Sequence, residues 1–109
     1  MATFFRNKVV KSVGTKPVTI TTMSASQRST VIGMSLTNLT DGFVYASVLV
    51  KDDTSVEGYY AKDVPIAQGT SLRIVNQGEK LILAPLNEIS VVSNRDDSID
   101  VILSYVEVV

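Results

Sequence analysis

Cysteine and histidine, two residue types on which much protein chemistry depends, are missing from this 109-residue chain. Their absence excludes a thiolate nucleophile, a thiolate metal site, and the commonest general base and metal ligand. Only carboxylate or Ser–Lys chemistry would remain, and no local motif pairs such groups. No glycine-rich run follows a phosphate-loop or dinucleotide pattern. We therefore expect no enzymatic activity, no cofactor and no small-molecule substrate.

Two acidic clusters could in principle supply oxygen ligands to calcium. They are Asp52-Asp53 and the segment Arg95-Asp96-Asp97 with Asp100. Neither has the alternating spacing of a calcium loop. Because aspartate also initiates turns by hydrogen bonding to its own backbone, we favour a role in turns and predict no metal site.

Tyr45, Tyr59 and Tyr60 are candidate surface aromatics, since tyrosine rings on a β-sandwich can stack on glycans. Adjacent strand residues point to opposite faces, so Tyr59 and Tyr60 should not share a surface. The chain has no tryptophan and only 6% aromatic residues. Packing in the core or in an interface is the favoured interpretation, and glycan binding stays an alternative.

Charge argues against a nucleic-acid partner. Ten basic and eleven acidic residues give a net charge of -1, whereas such partners usually require a clustered basic face. Arg6, Lys8, Lys11 and Lys16 come nearest to a cluster, and we interpret them as the charged protection of an edge strand. No segment approaches the roughly 20 apolar residues that cross a bilayer, and the N-terminus lacks a signal-peptide pattern. We expect no membrane partner.

Short apolar runs with a period of two, separated by turn residues, extend along the whole chain and predict strands. About eight or nine such strands are predicted. This number favours an all-β fold, an antiparallel β-sandwich with jelly-roll or immunoglobulin-like winding. Residues 1–109 are expected to form a single domain. The predicted strands are 1–13, 18–22, 30–38, 43–50, 56–61, 71–75, 80–83, 88–93 and 98–107, and 62–69 is predicted to be a connection.

Two segments carry more specific predictions. Leu39 to Gly42 contains Thr-Asp-Gly between two alternating runs, which predicts a hairpin because glycine adopts positive φ easily. On the strand before it, Ile32, Met34 and Leu36 should share one face. The last strand is apolar on both sides, so it should be buried on both sides, within the sandwich or against a neighbouring subunit.

The chain ends, MATFF and VEVV, are apolar where an isolated domain is usually polar. Phe4, Phe5, Val108 and Val109 are therefore the candidate assembly interface, through which the chain would dock onto other copies or partner proteins. The other possibility is that both ends simply complete strands of the sheets.

Three segments resemble the small virion structural proteins of tailed bacteriophages, of the marine and cyanobacterial phage type: ATFFRNKVVKSVG, STVIGMSLTNLTDGFVYASVLV and EKLILAPLNEISVVSNRDDSIDVILSYVEVV. The resemblance implies a β-sandwich virion component that assembles in multiple copies on the head, neck or tail. It transfers no functional residues, because such proteins work through surfaces.

The leading hypothesis is a non-enzymatic, homo-oligomeric virion part, most simply a head decoration or cement protein. It would be assembled in the host cytoplasm and would contact other virion proteins. A neck, tail or baseplate attachment protein, or a module that binds host-surface glycans or proteins, is the alternative.

Overall fold

A computed structural model describes residues 2–75 and 80–108, in which all regular secondary structure is β-strand. The nine strands of this part of the chain agree with the predicted number. They are β1 Thr3–Val13, β2 Val18–Thr22, β3 Arg28–Asn38, β4 Val44–Lys51, β5 Glu57–Ile66, β6 Ser71–Val75, β7 Leu81–Leu83, β8 Glu88–Ser93 and β9 Ile99–Val108.

The strands form two antiparallel sheets that pack face to face, which confirms the predicted β-sandwich. One sheet has the order β1-β9-β3-β6, with β7 pairing to the first part of β3, and we call it the front sheet. The back sheet has the order β2-β8-β4-β5. This order, in which most connections pass from one sheet to the other, is that of a jelly roll.

The core lies between the two sheets and consists of the inward-pointing residue of every second position. In the front sheet Leu36 and Leu103 are fully buried, and in the back sheet Val48, Ile89 and Val91 are equally so. These β-branched and leucine side chains suit the pleated, half-buried surface of a strand. The alternation therefore determines which side of each strand is covered.

The predicted hairpin at Leu39–Gly42 is wrong. β3 belongs to the front sheet and β4 to the back sheet, so the segment between them crosses the end of the sandwich. Gly42 does not adopt a positive φ, which is the property for which glycine was expected there. Two alternating runs joined by a turn-forming segment fit a crossing as well as a hairpin, because both require one apolar side per strand.

The Asn38 side chain holds this crossing together. Its amide group donates hydrogen bonds of 2.8 Å to the carbonyl oxygens of Gly42 and Ile66. Its Oδ1 accepts hydrogen bonds from the backbone N–H and the hydroxyl of Thr40, at 2.8 and 2.7 Å. Asn38 is only 1% exposed, so these bonds satisfy polar groups that water does not reach.

The connection between β4 and β5 is the turn expected at Asp52–Ser55. Oδ1 of Asp52 accepts hydrogen bonds from the Thr54 hydroxyl and from the backbone N–H groups of Thr54 and Val56. The Thr54 hydroxyl, and then the two backbone donors, lower the pKa of Asp52 below its ordinary value. A depressed carboxyl pKa means that the turn keeps this stabilisation above the ordinary aspartate pKa and loses it as the pH falls from there through the lowered value. The interpretation of Asp52 as a turn residue is confirmed.

The segment predicted as a connection, residues 62–69, is partly strand, which corrects that prediction. β5 continues through Pro65 to Ile66 and pairs with β4 as far as Val44. Within residues 2–75 and 80–108, β5 pairs with no strand other than β4, and an edge strand tolerates a proline, which cannot donate a ladder hydrogen bond. Two register shifts between β4 and β5 also interrupt the pairing.

A bulge in β3 corrects the predicted faces of that strand. The pairing of β3 with β9 shifts between Val31 and Gly33, so Ile32 has no direct partner. As a result Met34 and Leu36 are buried, whereas Ile32 is exposed. An inserted residue changes the alternation of side chains, which a strict period of two cannot reveal.

We predict that Asn38→Ala lowers the free energy of unfolding by about 1–3 kcal/mol, because the Ile66 carbonyl at the crossing loses its buried partner. Urea denaturation followed by circular dichroism measures the change. Thr37→Ala is the matched control. Its hydroxyl bonds to Ser71 in an exposed pair, and its loss should cost about 0.5 kcal/mol or less. Equal effects of the two substitutions would contradict the role assigned to Asn38.

Candidate assembly surface

β9 is apolar on both sides, but the sandwich covers only one of them. Val101, Leu103 and Tyr105 point into the core and are buried. Between them, Ile102 points out of the front sheet and is 45% exposed. Of the two possibilities for this strand, burial of both sides within the sandwich is therefore excluded for the Ile102 position.

The strand register shows which side chains of the neighbouring strands lie on the same outer side of the front sheet as Ile102. Val9 pairs with Ile102, and Phe5 pairs with Val106, so both β1 residues lie on the outer side. Val106 is opposite Thr30, which in turn is opposite Ile82. Together with the bulged Ile32, these residues form what we call the exposed apolar face: Phe5, Val9, Ile32, Ile82 and Ile102.

The exposed apolar face is uneven. A hollow of about 610 Å³ lies around Gly33, with Ile32, Ile102 and Arg73 in its lining. A second hollow of about 520 Å³ lies beside it, between Phe5 and Ile32. Phe5 itself is 82% exposed. The face thus combines a protruding ring with two shallow depressions that are open to solvent.

The first part of β1 extends beyond the cover of the back sheet. Phe4, Arg6 and Lys8 point to the inner side of β1, yet all three are exposed. Nε of Arg6 lies 3.1 Å from Oε1 of Glu107, and the Arg6 guanidinium lies 5.0 Å from the centre of the Phe4 ring. Within the described residues β1 pairs with β9 alone, which leaves its other edge bare of strand partners.

The four residues of the candidate assembly interface are not on one surface. Phe5 and Val108 lie on the outer side of the front sheet, where Val108 pairs with Thr3 and Arg28. Phe4 lies on the opposite side and is 42% exposed. Val109 lies outside the described residues.

Sequence reasoning missed Val9, Ile32, Ile82 and Ile102 as surface residues. The doubly apolar last strand was the signal for Ile102. The alternation of apolar and polar residues could not identify Ile32 as exposed, because it does not reveal the bulge that turns Ile32 outward. Val9 and Ile82 become neighbours of this face only through the pairing of β1 and β7 with distant strands.

The candidate surface aromatics lie on the back sheet. Tyr45 pairs with Pro65 and Tyr59 pairs with Leu49, four residues further along β4. Four residues of strand separate Tyr45 from Tyr59 by about 13 Å, so the two rings do not stack on one sugar. Nζ of Lys62 lies 5.3 Å from the centre of the Tyr59 ring. Tyr60 is exposed too, next to a register shift of β5.

In the part of the chain that the structure describes, no three acidic, cysteine or histidine side chains are grouped so that they could hold a metal ion. Asp96 and Asp100 have structural partners instead. Oδ1 of Asp96 accepts a hydrogen bond from the Thr15 hydroxyl, and Oδ1 of Asp100 accepts one from the backbone N–H of Ser12. Within the same described residues, no helix is long and apolar enough to cross a membrane.

The sequence matches no known protein family and no curated protein. Its fold, however, is similar to those of solved structures. One is from a study of Bacillus endospore appendages, a family of disulfide-linked pili, with a TM-score of 0.55 and 8% identity over 96% of this chain and 86% of that one.

Two others come from infectious bursal disease virus. A chain of the T13 viral particle has a TM-score of 0.57 and 9% identity, over 96% of this chain and 30% of that one. A mutant VP2 protein in derived T=1 particles has a TM-score of 0.56 and 9% identity, over 96% of this chain and 31% of that one. This chain thus spans about a third of the length of the viral chains. At such identities the likeness shows a shared β-sandwich fold.

We predict that two neighbouring residues of β9 respond differently to truncation, because they lie on opposite sides of the front sheet. Leu103→Ala, in the core, should lower the free energy of unfolding by about 2–5 kcal/mol. Ile102→Ser should lower it by about 1 kcal/mol or less, since nearly half of that side chain is already in water. Urea denaturation at low micromolar protein measures both. Comparable losses would mean that Ile102 belongs to the core.

Proposed function

We propose that this chain is a non-enzymatic structural subunit that assembles in multiple copies with itself and with other structural proteins. The observation that carries the proposal is the exposed apolar face. Exposed large apolar side chains on four strands of one sheet are typical of a surface that another protein covers. The bare edge of β1 beside that face offers backbone groups for the same contact.

The architecture suits this role physically. In this jelly roll, strands distant in sequence pair in both sheets, so residues from the two ends of the described chain lie on one surface. The chain needs no titratable group at the exposed apolar face, since apolar burial and shape complementarity supply the association energy. Similarity of fold to chains of a viral particle and of pili supports an assembly role of this kind.

The particle we propose is a virion of a tailed bacteriophage, which the resemblance of the three sequence segments suggests. In its simplest form the chain is a head decoration or cement protein, added to particles assembled in the host cytoplasm. A neck, tail or baseplate position would use the same surface. A host-glycan module has less support, because Tyr45 and Tyr59 do not form a common platform.

We predict that Phe5→Ser, introduced into the source genome, reduces the number of copies of this protein per purified particle by about tenfold or more. Such a reduction corresponds to a loss of about 1.4 kcal/mol of binding free energy or more. Quantitative mass spectrometry of gradient-purified particles measures the copy number. Phe43→Ser is the matched control, since Phe43 is 62% exposed and lies on the crossing between β3 and β4.

The outcome depends on both variants. A reduced copy number of the Phe5 variant in particles, with a normal copy number of the Phe43 variant, supports the exposed apolar face as the assembly surface. Unchanged copy numbers of the Phe5 variant would contradict that assignment. Absence of the wild-type protein from purified particles would contradict the virion function itself.

A further inference from the structure

The exposed apolar face carries both a protrusion and a recess. Phe5 stands out from β1, and the hollow around Gly33 opens two strands away on β3. Strand spacing places them about 10 Å apart across the sheet. A surface with a knob and a hole side by side can be complementary to itself, since a twofold axis between them brings each knob to the other copy's hole.

Gly33 keeps the hollow open without any conformational need for a glycine. Its φ is not in the left-handed region, and a Cβ built on it would meet no atom within 4 Å. It lies opposite Ser104, on the outer side of the sheet and next to the bulge at Ile32. The missing side chain therefore creates space at the surface and does not relieve strain in the backbone.

We propose that a second copy of this chain docks on the exposed apolar face, with the Phe5 ring of each copy seated in the Gly33 hollow of the other. This inference rests on the proposed multi-copy function and names the surface and the partner. Ile32 and Ile102 supply the apolar part of the lining, which also contains Ser35 and Ser104. Arg73 at the same hollow can place its guanidinium against the ring face, which is a favourable cation–π arrangement.

The area available is sufficient for a specific dimer. Four strands about 4.8 Å apart, over about eight residues of strand, give roughly 500 Å² on each copy. The roughly 1,000 Å² of the pair is at the lower limit of specific protein interfaces. We therefore expect a reversible dimer in the micromolar range, in which the two Phe5 rings contribute most of the affinity.

Sedimentation velocity of the purified chain between about 1 and 500 μM tests the proposal. The wild type should dimerise. Phe5→Ala should weaken dimerisation by about 100-fold, since two rings are lost per dimer. Gly33→Leu should weaken it comparably, since the side chain fills the hollow; Gly33→Val, with a strand-favouring side chain, serves if the leucine variant does not fold. Phe43→Ala should dimerise like the wild type.

Mixing the two variants gives the sharpest result. In a heterodimer of Phe5→Ala with Gly33→Leu, one contact is the intact pair of Phe5 and Gly33. In the other contact the smaller alanine faces the larger leucine. An equimolar mixture should therefore recover dimers that neither variant forms alone, which native mass spectrometry resolves by mass.

Three results would overturn the proposal: a wild type that stays monomeric at about 500 μM, dimerisation of the Phe43 variant as weak as that of the Phe5 variant, or a mixture that stays monomeric. These are distinguishable from failure of the proposed function. Normal incorporation into particles of a chain that is monomeric in solution would remove the dimer and leave the virion role. If the chain dimerises and passes the mixing test but is absent from particles, the dimer remains and the virion role is removed.

Discussion

Each sheet of this sandwich has two sides, and the facing sheet can cover only one of them. On the inner side the apolar residues of β9 and β3 meet those of β8 and β4 and form the core. On the outer side the same strands carry Ile102 and Ile32, with no further layer of this chain above them in the described residues. Burial of the outer apolar side chains requires another molecule, and the proposed assembly role follows from that requirement.

The crossing after β3 determines how this surface is composed. Asn38 allows the chain to leave the front sheet and enter the back sheet, because it provides hydrogen-bond partners for a segment that is paired to neither. The later strands can then return beside sequence-distant partners, and β9 comes to lie between β1 and β3. Phe5, from the first strand, and Ile102, from the last, share a surface because β1 and β9 are neighbours in the front sheet.

The sequence allowed most strands and the fold class to be predicted, because burial of one side leaves a period of two that is visible in each segment. It did not allow their pairing to be predicted, since Ile32 to Val50 reads equally well as a hairpin and as a crossing. The bulge at Ile32 and the extension of β5 through Pro65 depend on neighbouring strands that the local pattern does not specify. Phe5 could be predicted as a surface residue, whereas the hollow at Gly33 required the register.

Immunogold electron microscopy of purified particles from the source organism tests most directly whether this chain is a virion structural subunit. An antibody against the turn at Asp52–Val56 is suitable, since these residues are exposed and connect two strands of the back sheet, away from the exposed apolar face. We expect label at repeated positions on the particles, and the labelled part would distinguish head from neck or tail. Unlabelled particles, with the protein found only in the soluble lysate, would contradict it.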